Sequence, residues 1–136
     1  MARIYLDSNV FISFVKEEID PHFRGLFAEA QNFFIKAKLN GYVLVLSELF
    51  LFETEKRAHF DKKWVSIELD KIGVAYEWFT SPTNSAPIEI SAMIHFPDSL
   101  HVVLALESRS EYIVTFNIKD FLPANRWIKV IKPDEI

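Results

Sequence analysis

Cysteine is absent from the 136 residues. Its absence excludes disulfide frameworks, thiolate metal sites, zinc fingers and thiol catalysis, and fits a reducing cytosol. Long apolar runs are also missing, and none approaches the ~18 residues of a membrane span. Arg3 is followed only by Ile4, Tyr5 and Leu6 before Asp7 interrupts, far short of a signal-peptide core. The expected compartment is therefore the cytoplasm. Positive charge is scarce as well: 15 Lys and Arg against 19 Asp and Glu leave a formal charge of −4. That speaks mildly against a broad basic surface for nucleic acid, because neutralising phosphates with Lys and Arg is what supplies sequence-independent affinity. The objection is weak. If several acids cluster around cations, the remaining surface is nearer neutral and the cations themselves attract phosphate.

What is present is apolar material for one core: half of the residues are hydrophobic and thirteen are Phe. A single domain spanning residues 1–136 follows. No internal repeat or low-complexity segment divides it, and the loop-like stretch Thr80–Ser85 is too short for an interdomain linker. Arg3–Asp7 reads as a strand, with Ser8 or Asn9 capping a helix whose face holds Val10, Phe11, Phe14 and Val15. Asp20-Pro21 breaks the chain, and Phe23 to Leu39 is an amphipathic helix ended by Asn40-Gly41. Tyr42–Leu46 is a strand apolar enough to be covered on both faces. Ser47 then caps a helix to about Phe60, Asp61 caps another through Lys71 closed by Gly73, and Val74–Phe79 is a short strand. Ser85 with Pro87 begins a helix to about His95. Pro97 sits in the first turn of a helix packed through Leu100, Val103, Leu104 and Glu107, which feeds the strand Tyr112–Val114. Trp127–Ile131 is the last strand. The alternation of strands and helices predicts an α/β sandwich with a mainly parallel sheet.

Carboxylates fall at telling places in that plan. Asp7 ends the first strand, Asp98 opens the helix before Tyr112, and Thr115, Asn117 and Asp120 follow that strand. Glu53 lies on the helix after the second strand, with Glu48 as a competitor nearer the strand end. In a parallel sheet, segments that follow strands emerge on one edge, where ligands bind. Acids gathered there without His or Cys suit Mg²⁺ or Mn²⁺, and their mutual repulsion calls for such a cation. Divalent ions among carboxylates support in-line attack on phosphorus, so phosphodiester hydrolysis is the natural reaction class. Thr115 can hold a carboxylate, and Ser8 or Asn9 can orient Asp7.

Taken together, Ile4-Tyr5-Leu6-Asp7-Ser8-Asn9-Val10, Ser47 with Glu53, Asp98-Ser99-Leu100-His101-Val102-Val103-Leu104-Ala105 and Val114-Thr115-Phe116-Asn117-Ile118-Lys119-Asp120-Phe121 resemble the PIN-domain ribonuclease family, including the nuclease toxins of type II toxin–antitoxin modules. The resemblance spans nearly the whole chain, in order. It implies a three-layer α/β/α sandwich and Mg²⁺- or Mn²⁺-dependent cleavage of RNA. It also implies a homodimer and an antitoxin protein as partner. Asp7, Glu53 and Asp98 match the family's three core acids, which selects Glu53 over Glu48. Asn117 stands where many members carry a fourth acid, and Asp120 is the residue that can compensate.

Each residue also has a plainer explanation. Asp7 can cap a helix, Asp98 can supply charge to a helix start, Glu53 can pair with Lys56 one turn away, and Asp120 can cap a turn. His101 reads as a packed helix residue outside the metal shell, and Phe27, Phe33, Phe34, Phe50 and Phe52 as core. Two other functions compete with the nuclease. One is a PIN-like module that binds RNA or protein without cutting, favoured by Asn117. The other is a phosphoacceptor domain, disfavoured because Tyr42–Leu46 ends in Ser47-Glu48 and offers no acceptor Asp.

Overall fold

Five short runs rich in β-branched and aromatic residues pair into one sheet: β1 (Arg3–Leu6), β2 (Val43–Ser47), β3 (Ala75–Phe79), β4 (Tyr112–Val114) and β5 (Lys129–Ile131). The computed structural model describes residues 2–18 and 25–136. Among them seven α-helices connect or flank the strands: α1 (Ser8–Val15), α2 (Leu26–Leu39), α3 (Glu48–Ala58), α4 (Lys62–Ile72), α5 (Ile88–Ser91), α6 (Asp98–Glu107) and α7 (Ile118–Phe121). The strand order is β3-β2-β1-β4-β5 and every pairing is parallel. The sheet is thus wholly rather than mainly parallel.

Side chains alternate across the strands and so build two cores. Ile4, Leu6, Leu44, Leu46 and Val114 pack with Phe11, Phe33, Phe34, Phe50 and Leu69 from α1 to α4. Tyr5, Val45, Ile113 and Val130 face the other way, onto Ile90 and the buried residues of α6. The period-2 geometry of a strand requires this division. The result is a three-layer α/β/α sandwich with the sheet in the middle.

Local chemistry sets the element ends. Ser47 caps α3, its Oγ accepting from Phe50 N at 3.1 Å, and Asp61 caps α4, accepting from Trp64 N at 3.0 Å. Gly73 closes α4 at φ 84. After α2, Gly41 N donates to Lys38 O and Tyr42 N to Ala37 O, the paired closure that needs a left-handed residue, here Gly41 at φ 69. Tyr42 is consumed by that turn, so β2 starts one residue later than the sequence predicts. The Asp20-Pro21 break and the helix start at Phe23 lie outside the described residues.

Several expectations are corrected. The helix expected over 85–95 is one turn, Ile88–Ser91. Only Ile90 and Ile94 of that segment are fully in the core, with Ala86 packed at its margin, while Ile88 and Met93 are exposed, so too little packing exists to propagate it. Pro97 is the cap residue of α6, not its first turn. Glu107 points outward, where it accepts from Ser81 and Thr83 hydroxyls at 2.7 Å each. The last strand begins at Lys129, because Trp127 N and Ile128 N still bond Ala124 O in the preceding 3-10 turn. Among the aromatics, Phe33, Phe34 and Phe50 are core and Phe27 is half-buried, but Phe52 is 61% exposed.

This division gives a direct test. Phe34 is fully buried and packs edge-on against Phe14 and Phe33. Phe34→Ala is expected to destabilise the fold by about 3–5 kcal/mol, whereas exposed Phe52→Ala stays within ~0.5 kcal/mol of wild type. Urea unfolding of both variants measures the contrast.

Candidate functional site

The chain runs β1 to β2 to β3 in one direction across the sheet, and β4 to β5 in the other. The reversal falls between β1 and β4, and the crevice beyond the carboxyl ends of those strands is where such sheets bind ligands. Leu6 pairs with Val114, so the next residues, Asp7 and Thr115, emerge side by side. Asp7 N donates to Val114 O at 3.1 Å, and Thr115 N to Ile131 O at 3.1 Å. Both residues are held at the sheet edge by main-chain bonds.

Their side chains are joined too. Thr115 Oγ1 donates to Asp7 Oδ2 at 2.7 Å, and accepts from Asn117 N at 2.9 Å and Asn9 Nδ2 at 3.2 Å. Asn9 Oδ1 in turn accepts from Phe116 N at 3.2 Å. Asp7 occupies the cap position of α1, where its carboxylate makes no capping bond of full hydrogen-bond geometry but is favoured in its charged form by the nearby Asn9 main-chain N–H. Capping and the Thr115 bond thus act on the same carboxylate. Ser8 and Asn9 do not cap α1 either, since both lie inside it.

Glu53 reaches the same place from α3. Its Oε1 accepts from Ser8 Oγ at 2.7 Å and from His101 Nε2 at 2.8 Å. Ser8 thus orients Glu53 rather than Asp7, and Glu53 is bound by an imidazole rather than by Lys56. His101 Nε2 also lies 3.8 Å from Asp7 Oδ1. One ligand atom from each of Asp7, Glu53 and His101 falls within 4.8 Å of the others, a spacing that can hold a metal ion. His101 Nδ1 bonds Tyr5 Oη, and Tyr5 Oη lies 2.7 Å from Ser47 Oγ. A buried line of hydrogen bonds therefore runs from the cap of α3 to the Glu53 carboxylate.

Burial pushes the Asp7 carboxyl above its ordinary value, against the opposing pull of His101 and the Thr115 hydrogen bond. Burial also acts on Glu53, but the His101 bond and charge and the Ser8 hydroxyl outweigh it and hold that carboxyl low. For His101, burial is outweighed by the Glu53 bond and by the charges of Asp7, Glu53 and Asp98, so its pKa rises. An ionised Glu53 cannot donate, so the hydrogen of the 2.8 Å contact sits on His101 Nε2. The imidazole then braces the carboxylates, whose oxygens are the atoms left free to ligate a metal ion.

Asp98, the first residue of α6, is half-buried, and its carboxyl is pushed up to about 6 by burial and by the negative charges of Asp7, Asp120 and Glu53. It lines a cleft of about 250 Å³ with Lys119 and Asp120. Asn117 Nδ2 donates to Asp120 Oδ2 at 2.9 Å, so that amide is tied to the neighbouring acid. Glu48 lines a different cleft with Phe79, Ser81 and Leu104. Asp98 is not one of the three residues whose ligand atoms come within 4.8 Å of one another, which are Asp7, Glu53 and His101. The two carboxylates that do meet there offer the oxygen donors that a hard divalent cation such as Mg²⁺ or Mn²⁺ takes.

His101, Tyr5 and Ser47 were not assigned to the site by sequence reasoning. The available signal was spacing: His101 follows Asp98 by three residues, on the same helix face. No protein-family model matches the chain, and no curated protein is significantly similar to it.

The Asp98 shift has a sign that can be measured. Its folded value of about 6 exceeds the ordinary 3.8, so the proton binds more tightly in the folded state. The resulting stability is fully present below the ordinary value and is lost as pH rises towards the folded one. In chelator-treated protein, wild type should therefore lose thermal stability relative to Asp98→Asn between about pH 4 and about pH 7. A difference in Tm that does not change with pH would show that neither burial nor the neighbouring acids raise the Asp98 carboxyl.

Proposed function

We propose that this protein is a Mg²⁺- or Mn²⁺-dependent endoribonuclease of the PIN type. The observation that carries the reading is the approach of Asp7 and Glu53, remote along the chain, to one point at the switch of the sheet, with Asp98 close enough to be raised by both. Asp7, Glu53 and Asp98 are the residues that would hold the cation. When bound, the divalent ion supplies Lewis acidity for hydrolysis of a phosphodiester bond. Thr115 fixes the direction of the Asp7 carboxylate, and Ser8 with His101 fixes that of Glu53. Asp98 and Asp120 border the cleft through which a phosphate would approach. The setting that accompanies this reading is the cytoplasm, a homodimer and an antitoxin protein that neutralises the nuclease. Among the described residues no helix is long and apolar enough to cross a membrane.

A non-cutting binding module is the second reading, and Asn117 favours it. An amide adds no charge, and its Nδ2 is already bonded to Asp120. Mn²⁺ titration by calorimetry separates the two: a defined site supports the enzyme, and no binding at millimolar metal supports the module.

Asp7→Asn is expected to lower Mn²⁺-dependent cleavage of single-stranded RNA by at least about 10²-fold without unfolding the protein. Undiminished cleavage by rigorously purified variant would remove the nuclease reading. Thr115→Val should weaken metal affinity or activity by about 10–100-fold, read from the same titration.

A further inference from the structure

Two large aromatics stand in solvent beside Glu53: Phe52 is 61% exposed and Phe96 68% exposed. They face a common cleft of about 310 Å³, walled on one side by α3 and on the other by Phe96-Pro97, the segment that leads into α6. On α3, Leu49, Phe52, Glu53 and Lys56 recur at i, i+3, i+4 and i+7, so they form one stripe. Arg57 extends the stripe. The two walls are therefore the elements that carry Glu53 and Asp98. Any occupant lies directly against Glu53, the one site acid that lines this cleft.

We infer that this cleft is a base-binding subsite, in which one unpaired nucleobase of a single-stranded RNA stacks on Phe52 and Phe96 while Lys56 and Arg57 hold an adjacent phosphate. The inference rests on the nuclease reading, which supplies the substrate, and deepens it by naming where the strand is gripped. Three features favour a base over an apolar peptide. Two exposed aromatic rings line the cleft, and aromatic side chains stack on any base. Cations flank them on the same helix stripe, matching the charge of a nucleic acid backbone. The volume is at the lower end of the ~300–1,000 Å³ of ligand pockets, room for one planar group rather than a helix. The subsite also accounts for two large aromatic side chains left in water on a chain that buries Phe33, Phe34 and Phe50 completely.

The test uses the full chain in Ca²⁺, with a short single-stranded RNA carrying 2-aminopurine, and the same strand with an abasic position. Stacking should quench the 2-aminopurine on binding. Phe52→Ala and Phe96→Ala should each weaken binding about tenfold with unchanged Tm, Phe52→Trp should restore it, and the abasic strand should bind wild type and variants alike. Lys56→Gln should weaken both strands and flatten the salt dependence. Equal affinity of wild type and the alanine variants would overturn the subsite. So would a light-scattering shift from dimer to monomer in Phe52→Ala with RNA affinity unchanged, which would make the cleft a protein contact. The nuclease reading stands or falls separately, on Mn²⁺ binding and cleavage by wild type. Quenching and aromatic dependence without cleavage would keep the subsite and remove the enzyme.

Discussion

The parallel pairing of β1 with β4 is the constraint from which the site follows. Once Leu6 lies opposite Val114, Asp7 and Thr115 have no freedom to part, and the hydroxyl–carboxylate bond between them extends the strand ladder by one side-chain rung. A register slip of one residue would turn Asp7 towards the opposite face of the sheet. The same pairing sets where the sheet reverses direction, and so where α3 and α6 converge. The apolar content of Ile4, Leu6, Ile113 and Val114, all fully buried, is what holds that register.

Two acids this close to one another and partly out of water need compensation. The described residues provide one imidazole, fully buried between Glu53 and Asp7 and held from behind by Tyr5. Tyr5 sits on the central strand, faces the α6 side, and ties His101 to the Ser47 cap of α3. The hydroxyl that starts α3 and the carboxylate two turns along it are thereby coupled through a second helix. Removing one member of such a buried polar line leaves its partners without bonds in a dry environment, which is why these networks rigidify what they join.

Much of the architecture was legible in the residues. Tyr42–Leu46 and Tyr112–Val114 announced buried strands by unbroken hydrophobicity, and Ser47, Asp61, Gly41 and Gly73 marked helix ends through backbone needs no other arrangement meets as well. Placement of Asp7 and Asp98 at element ends was legible for the same reason. The partners were not. Of Ser8 and Asn9, the two candidates to orient Asp7, Asn9 reaches it through Thr115, whereas Ser8 serves Glu53 because at the first position of α1 the helix turns its hydroxyl towards α3. A single histidine within an apolar helix stretch reads as core; His101 is core, and it touches both acids as well. Phe52 reads as core among its Phe-rich neighbours, whereas only the three-dimensional course of α3 reveals that its own side chain stands in solvent. Contacts between distant segments carry no local signature, and these three cases are all of that kind.

Asp7 is the only residue between the last residue of β1 and the first of α1. With a strand anchored on one side and a helix starting on the other, its main chain has no slack, and no loop exists there to open or close. Variation among related chains can therefore lengthen, shorten or recolour the rims of the crevice while this junction stays put, much as a lathe keeps its spindle when the cutting tool is changed.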